Sequence, residues 1–278
     1  MRALRSPLFL AGGGITAALT LVALLAPRLA PYEPRELAGD ALVPPSAQHL
    51  LGTNNLGQDI LSQIIWGARD SLTLAVGSAS LAVAVGIAVG VGAGLVGGFT
   101  DLVAMRVVDL FLAIPRLPLL ILVATLVGAS RTSLTVVIGA MTWPVLARKL
   151  RSQTLSLRHR GYVTSSRGFG GGVLYVMRRH LVPALGPLII ASFVLVASNA
   201  ILLEASLAFL GLADPTGVGW GLMLNKALLE PGLYFTSVWL WWVLPAGFAI
   251  TLAVVGFAFL GVGLEPILNP RGAAVRRR

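Results

Sequence analysis

The 278-residue sequence contains no cysteine. That removes disulfide frameworks, thiol nucleophiles and cysteine-held zinc or iron–sulfur centres. Charge is scarce: 12% of residues are Asp, Glu, Lys or Arg, about half the share in a soluble globular domain. Histidine occurs only at His49, His159 and His180. No H-E-x-x-H spacing is present, so no metal site is expected. No G-x-x-x-x-G-K-[ST] occurs, so the chain lacks a P-loop and nucleotide-driven work would fall to another polypeptide. Alternation with period two is missing as well, which argues against a β-barrel.

What the sequence does have is apolar length. Hydrophobic residues make up 56% and mean hydropathy is +0.85. A water-soluble fold could not cover that much apolar surface, and disorder is excluded by the same figures. A membrane-spanning helix needs about 20 mainly apolar residues. Six stretches qualify, at about 8–26, 72–97, 107–127, 133–147, 184–204 and 238–264. Pro115 and Pro118 should kink or break the third. Arg2 and Arg5 ahead of an apolar run also fit a secretory leader, but the run is long for one. The expectation is an all-α integral membrane protein with six transmembrane helices.

The net charge of +10 would suggest nucleic acid in a soluble protein. Its distribution gives a different meaning. With the N-terminus inside, the inner segments sum to +13 and the outer ones to −2. The positive-inside rule then places both termini in the cytoplasm, with membrane lipid and not nucleic acid as the partner of this charge. The expected divisions are a first transmembrane helix at 1–26, an external segment with an interfacial helix at 27–71, a transmembrane core at 72–264 and a basic cytoplasmic tail at 265–278. The apolar spacing from Leu56 to Leu72 fits an amphipathic helix at the outer interface or a plain extension of the second span. Gly86, Gly90, Gly94 and Gly98 form a ridge of small residues, read as a close-packing face.

Asp109, Arg116 and Glu204 lie in or near the membrane, where charge is costly and often marks a translocation path. Asp109 and Arg116 would sit near the cytoplasmic interface or pair with each other. Glu204 would sit at the outer end of the fifth span, within reach of water. The connection 148–183 is the most informative stretch, carrying +8 with no acid over 148–180. A basic helix leads to Tyr162–Gly170, Gly170–Gly172 permit a sharp turn, and Pro183 fits the start of the fifth span. This reads either as a compact cytoplasmic knob or as an ordinary basic loop that fixes topology.

Here the chain resembles the permease subunits of bacterial and archaeal ABC importers. Their shared motif opens with Glu-Ala-Ala, continues to a Gly and closes with hydrophobic-Pro. Ser165 and Ser166 take the small positions, Gly170 the glycine and Pro183 the closing proline. Thr164 stands where the family usually has Glu, which puts the seating of the motif on the ATPase in question. The segments His49–Asp59, Gly67–Leu72, Glu204–Leu212 and Trp220-Gly221 resemble the C-type permease of the dipeptide/oligopeptide/nickel branch. Asp101, Arg106, Asp109 and Pro115 do so too, as does the close from Gly261 to Arg271. In that close Ala258 and Val262 replace the usual Asn and Asp, and Glu265-Pro266 the usual Arg-Asp.

The resemblance implies a type I ABC importer permease fold with a cytoplasmic coupling helix, in the inner membrane of a prokaryote. It implies a homologous second permease, two ATPase subunits that bind ATP and magnesium, and an external substrate-binding protein. Thr164, Ser165, Ser166, Arg167, Gly170, Arg179, His180 and Pro183 would form the ATPase-docking surface. Asn54, Asn55, Asp59 and Trp220 would face the binding protein. The cargo would be small peptides or nickel complexes. The rival readings are a stand-alone channel or secondary transporter, and a membrane assembly protein with no pore.

Overall fold

A computed structural model describes residues 6–128 and 130–268, with the side chains of 265–268 left out. Helices α1 (Pro7–Leu24) and α2 (Ala26–Leu29) precede an irregular stretch. Then come α3 (Ile60–Val96), α4 (Gly98–Ala113), α5 (Arg116–Val127), α6 (Arg131–Leu157) and α7 (Gly161–Gly168). The last are α8 (Val173–Val176), α9 (Val182–Phe209), α10 (Trp220–Leu228) and α11 (Val238–Leu268). No sheet forms among the described residues; one isolated bridge joins Thr53 and Asp59. Residues 1–5 of the expected first span, and the tail from 269 onward, lie outside the described residues.

Four described helices are long and apolar enough to cross a membrane, with α8, a π turn and α9 running as one, and the bent pair α4–α5 makes a fifth. The third span is broken as expected, with 91° between its halves. Pro115 has no N–H to continue the ladder and restricts Ile114 to extended backbone. α6 is as long as a span, but its C-terminal third carries Arg148, Lys149 and Arg151, which dilute its apolar character.

The 37 residues of α3 span about 55 Å, well beyond a hydrocarbon core of about 30 Å. The stretch from Ile60 is therefore an extension of the second span and not a separate interfacial helix. Asp59 starts it by accepting from the Ser62 amide at 2.8 Å. The expected connection at 97–106 is helical from Gly98 onward. Gly97 and Gly98, at φ 73° and 58°, turn the chain at once into α4.

The glycine ridge packs α3 on α6. A Cβ on Gly90 would fall 2.3 Å from the Ala147 carbonyl oxygen, and Gly94 faces Thr154. Small residues allow this approach where lipid gives no hydrophobic drive for helix association. Gly98 does not belong to the ridge, because it opens α4 and has no neighbour within 4 Å of a built Cβ. α1 lies along α11 in the same manner, with Gly12 against the Leu260 backbone. One core joins α3, α9, α10 and α11, and a second gathers Val91, Leu150, Val163, Val176 and Leu181 beneath the basic connection.

Candidate functional site

Two regions concentrate chemistry, one at each end of the bundle. The first is the basic connection. α6 ends at Leu157, Arg160 caps the eight-residue α7, and Gly170 at φ 85° reverses the chain into α8. Isolated helices this short are not stable in water, so packing must hold them. Val163 and Val176 are each 0% exposed and insert into the second core. The expected knob thus exists, tied to α3, α6 and α9. Its neighbouring helix ends are braced by Arg151, which grips Asp101 at 2.5 and 2.6 Å, and by Arg158, which donates to the Gly94 carbonyl at 3.2 Å.

Thr164, Ser165, Arg167, Gly170, Arg179 and Pro183 are exposed, and Ser166 and His180 half-buried. The Thr164 hydroxyl donates to the Gly161 carbonyl at 3.0 Å. His180 lies between the rings of Tyr162 and Tyr175, at 5.8 and 5.9 Å. Phe169 is 93% exposed beside them. A shallow concavity of about 660 Å³ lies among Tyr162, Ser166, Phe169, Tyr175 and His180. Sequence reading did not single out these aromatics, although Tyr162 stands two residues before the motif and Phe169 inside it. Pro183 does not start a free helix. A π turn at Met177–Leu181 joins α8 to α9 in front of it. A wider turn there makes room for the proline ring, which in a regular helix strikes the carbonyl four residues back.

The second region is a cavity of about 440 Å³ at the opposite end, between α3, α6, α9 and the loop 213–219. Glu204 lines it and is 6% exposed. Glu204 lies near the C-terminal end of α9, and its side chain, expected within reach of water, is buried. Its Oε2 accepts from the Ser71 hydroxyl at 3.4 Å. Asp70 lines the same cavity, paired with Arg131 at 3.1 Å and accepting from the Val218 amide at 3.2 Å. Asp214 accepts from the Thr216 hydroxyl and amide at 2.6 and 2.8 Å. The Thr216 hydroxyl holds its carboxyl below the usual carboxylate range, against the opposing effect of burial. The Asp70–Arg131 tie was not legible locally, because its partners lie 61 positions apart.

The remaining candidates are scattered. Asp109 does not pair with Arg116; it pairs with Arg148 and, at 3.7 Å, with Arg106. Its side chain is 47% exposed, which suits an interfacial position near these cations. Arg116 lines a separate depression with Pro115, Met141 and Leu203. The residues expected to face the binding protein are mostly internal. Asn54 is 1% exposed and its amide donates to Gln58. Asp59 caps α3 and pairs with His49 at 3.0 Å. Trp220 is buried, its indole donating to the Ile64 carbonyl at 3.0 Å. These three side chains support the segment from beneath, and of the four Asn55 alone is exposed.

Comparison with known proteins agrees with this architecture. Residues 86–273 match the family described as binding-protein-dependent transport system inner membrane component. Residues 1–50 match the N-terminal transmembrane domain of oligopeptide transport permease C. A putative peptide permease protein of Brucella suis is 37% identical over 256 residues, covering 91% of this chain and 83% of the relative. The dipeptide transport system permease protein DppC of Haemophilus influenzae is 36% identical over 262 residues, 91% and 87% of the two chains. A probable D,D-dipeptide transport system permease protein of Escherichia coli is 31% identical over 268 residues, 96% and 88% of the two chains.

Proposed function

The chain belongs to the family of binding-protein-dependent transport system inner membrane components, and from that premise we propose that it is the translocating subunit of an ATP-driven importer of small peptides. It is a multi-pass protein of the inner membrane and an ABC importer permease. In the proposed complex it pairs with a homologous permease, two ATPase subunits and an external binding protein. ATP and magnesium bind to the ATPases and not to this chain, which has no P-loop. Six spans place the basic connection and both termini in the cytoplasm, following the charge asymmetry.

The observation that carries this reading is the exposed basic knob anchored by Val163 and Val176. A surface so placed suits an ATPase that pushes on α6 and α9 together. Alternating access is then rigid-body motion driven by an external engine, with no ion gradient required. Thr164, Ser165, Ser166, Arg167 and Gly170 make the centre of the docking face, and Arg179, His180 and Pro183 its edge. Peptide cargo is favoured because the relatives named above carry peptide in their names.

Reconstitution of the full complex in vesicles tests the proposal. Uptake of a labelled dipeptide should require ATP, both ATPase subunits and the binding protein. Uptake by this chain without ATPase would identify a channel or secondary transporter instead. Uptake of nickel complexes in place of dipeptides would reassign the cargo. Deleting 164–172 should abolish co-purification of the ATPase, and its retention would sink the docking assignment.

A further inference from the structure

Four carboxylates line the outer cavity: Glu33 is exposed, Asp70 and Asp214 are held by neighbouring donors, and Glu204 is buried. Asp70 is held by Arg131 and the Val218 amide, and Asp214 by both donors of Thr216. Glu204 is the most buried of the four, yet its one hydrogen bond among the described residues is the long contact from Ser71 to Oε2. No Lys, Arg or His nitrogen among the described residues lies within 4.0 Å of it. A buried carboxylate with a single long hydrogen bond and no ion pair is costly and calls for a further partner.

The cavity is shaped to admit one. Gly219 closes it without a side chain, and a Cβ there would fall 2.9 Å from Glu204 Oε1. That oxygen therefore faces space kept open by a glycine whose φ of −60° makes no demand for glycine. Trp66, Leu74 and Leu134 give the cavity apolar wall, and Arg35 stands at its rim with no ion pair among the described residues.

We propose that this cavity is a binding site for a primary ammonium group, with Glu204 as its counter-ion. An ammonium has three donors and no acceptor, which matches a carboxylate whose Oε1 meets no donor among the described residues. The apolar wall takes the carbon skeleton attached to it. On the peptide-import reading, on which only this last step rests, the ligand is the α-ammonium end of a small peptide. Arg35 is then available to its carboxylate.

The test uses the whole complex in lipid nanodiscs and a carbodiimide that labels accessible carboxyl groups, with labelling of Glu204 read by peptide mass spectrometry. Propylammonium and alanyl-alanine should each slow that labelling about tenfold near saturation, as simple occupancy requires. N-acetyl-alanyl-alanine, which has no ammonium, should not. Equal protection by the acetylated peptide, no protection by either amine, or no labelling of Glu204 at all would each overturn the site. Gly219→Ala should remove the protection while leaving the complex assembled, since only the space beside Oε1 changes; undiminished protection in this variant would count against the site. If alanyl-alanine is transported but no amine protects Glu204, the site fails and the peptide reading stands. If propylammonium protects Glu204 but no peptide is transported, the site stands and the peptide reading fails.

Discussion

The anchoring of α7 can be tested through Val163. The helix has eight residues, and Val163 is its one buried side chain. Val163→Ala deletes two methyl groups from a fully buried site. At about 0.8 kcal/mol each, the loss is about 1.6 kcal/mol before any cavity penalty. That energy corresponds to about a 15-fold rise in the population of undocked α7. Amide hydrogen exchange over 161–168 in the purified complex should accelerate by up to that factor, while the middle of α3 stays protected. Uptake per ATP hydrolysed should fall, because an undocked helix transmits less of the ATPase motion. Val163→Asp should go further, since a carboxylate in this core costs several kcal/mol, of the order given for unpaired buried charge. If Val163→Asp left both exchange and coupled uptake unchanged, the knob would not be held by its apolar anchor and the argument would fail.

Four other outcomes are expected. Gly90→Val should lower thermal stability in detergent by about 1–3 kcal/mol or more, because the new side chain meets the Ala147 backbone at 2.3 Å. Gly92→Ala, with nothing within 4 Å, should be neutral or slightly stabilising in the same melt. Asp59→Ala should cost about 1 kcal/mol for the lost cap and more for the stranded His49. Its signature is a lower melting temperature with unchanged affinity of the folded complex for the binding protein; a selective loss of affinity at full stability would restore a contact role. Phe169→Ala should leave exchange over 161–168 as it is, since the ring touches little of its own chain, and weaken ATPase docking in pull-down.

Apolar length and proline carried much of the architecture into the sequence. The runs near 8–26 and 238–264 became α1 and α11, and Pro115 placed the break between α4 and α5. The glycine spacing was a true packing signal at Gly90 and Gly94 and a false one at Gly98. Period alone cannot say that a helix ends between two members of a repeat. Gly97, with its positive φ, was the sign that it does. The site was less legible, because its parts are joined by tertiary pairs. Asp109 finds Arg148, 39 positions away, and Asp70 finds Arg131, 61 positions away. Neither pairing has a local period. Polar residues of the outer segment looked like surface groups, yet Asn54 and Asp59 are spent on the internal bonding of an irregular chain that has no ladder of its own.

The knob and the outer cavity share two helices. α6 begins at Arg131, which holds Asp70 in the cavity, and its C-terminal end leads through a short turn into α7. α9 follows directly from the π turn that contains His180 and carries Glu204 near its other end. Its 28 residues span about 42 Å. A tilt of about 5° about the cytoplasmic end would move the outer end by about 4 Å over that length. Displacement of that size exceeds a hydrogen-bond length and is enough to make or break contacts such as Ser71 to Glu204. Pro187, one turn beyond Pro183, removes another backbone donor where such a tilt would pivot. Push on the knob and change at the carboxylate therefore need no chain of side-chain rearrangements between them. On the import reading, a helix stiff over its apolar length and softened near its cytoplasmic end supplies the connection.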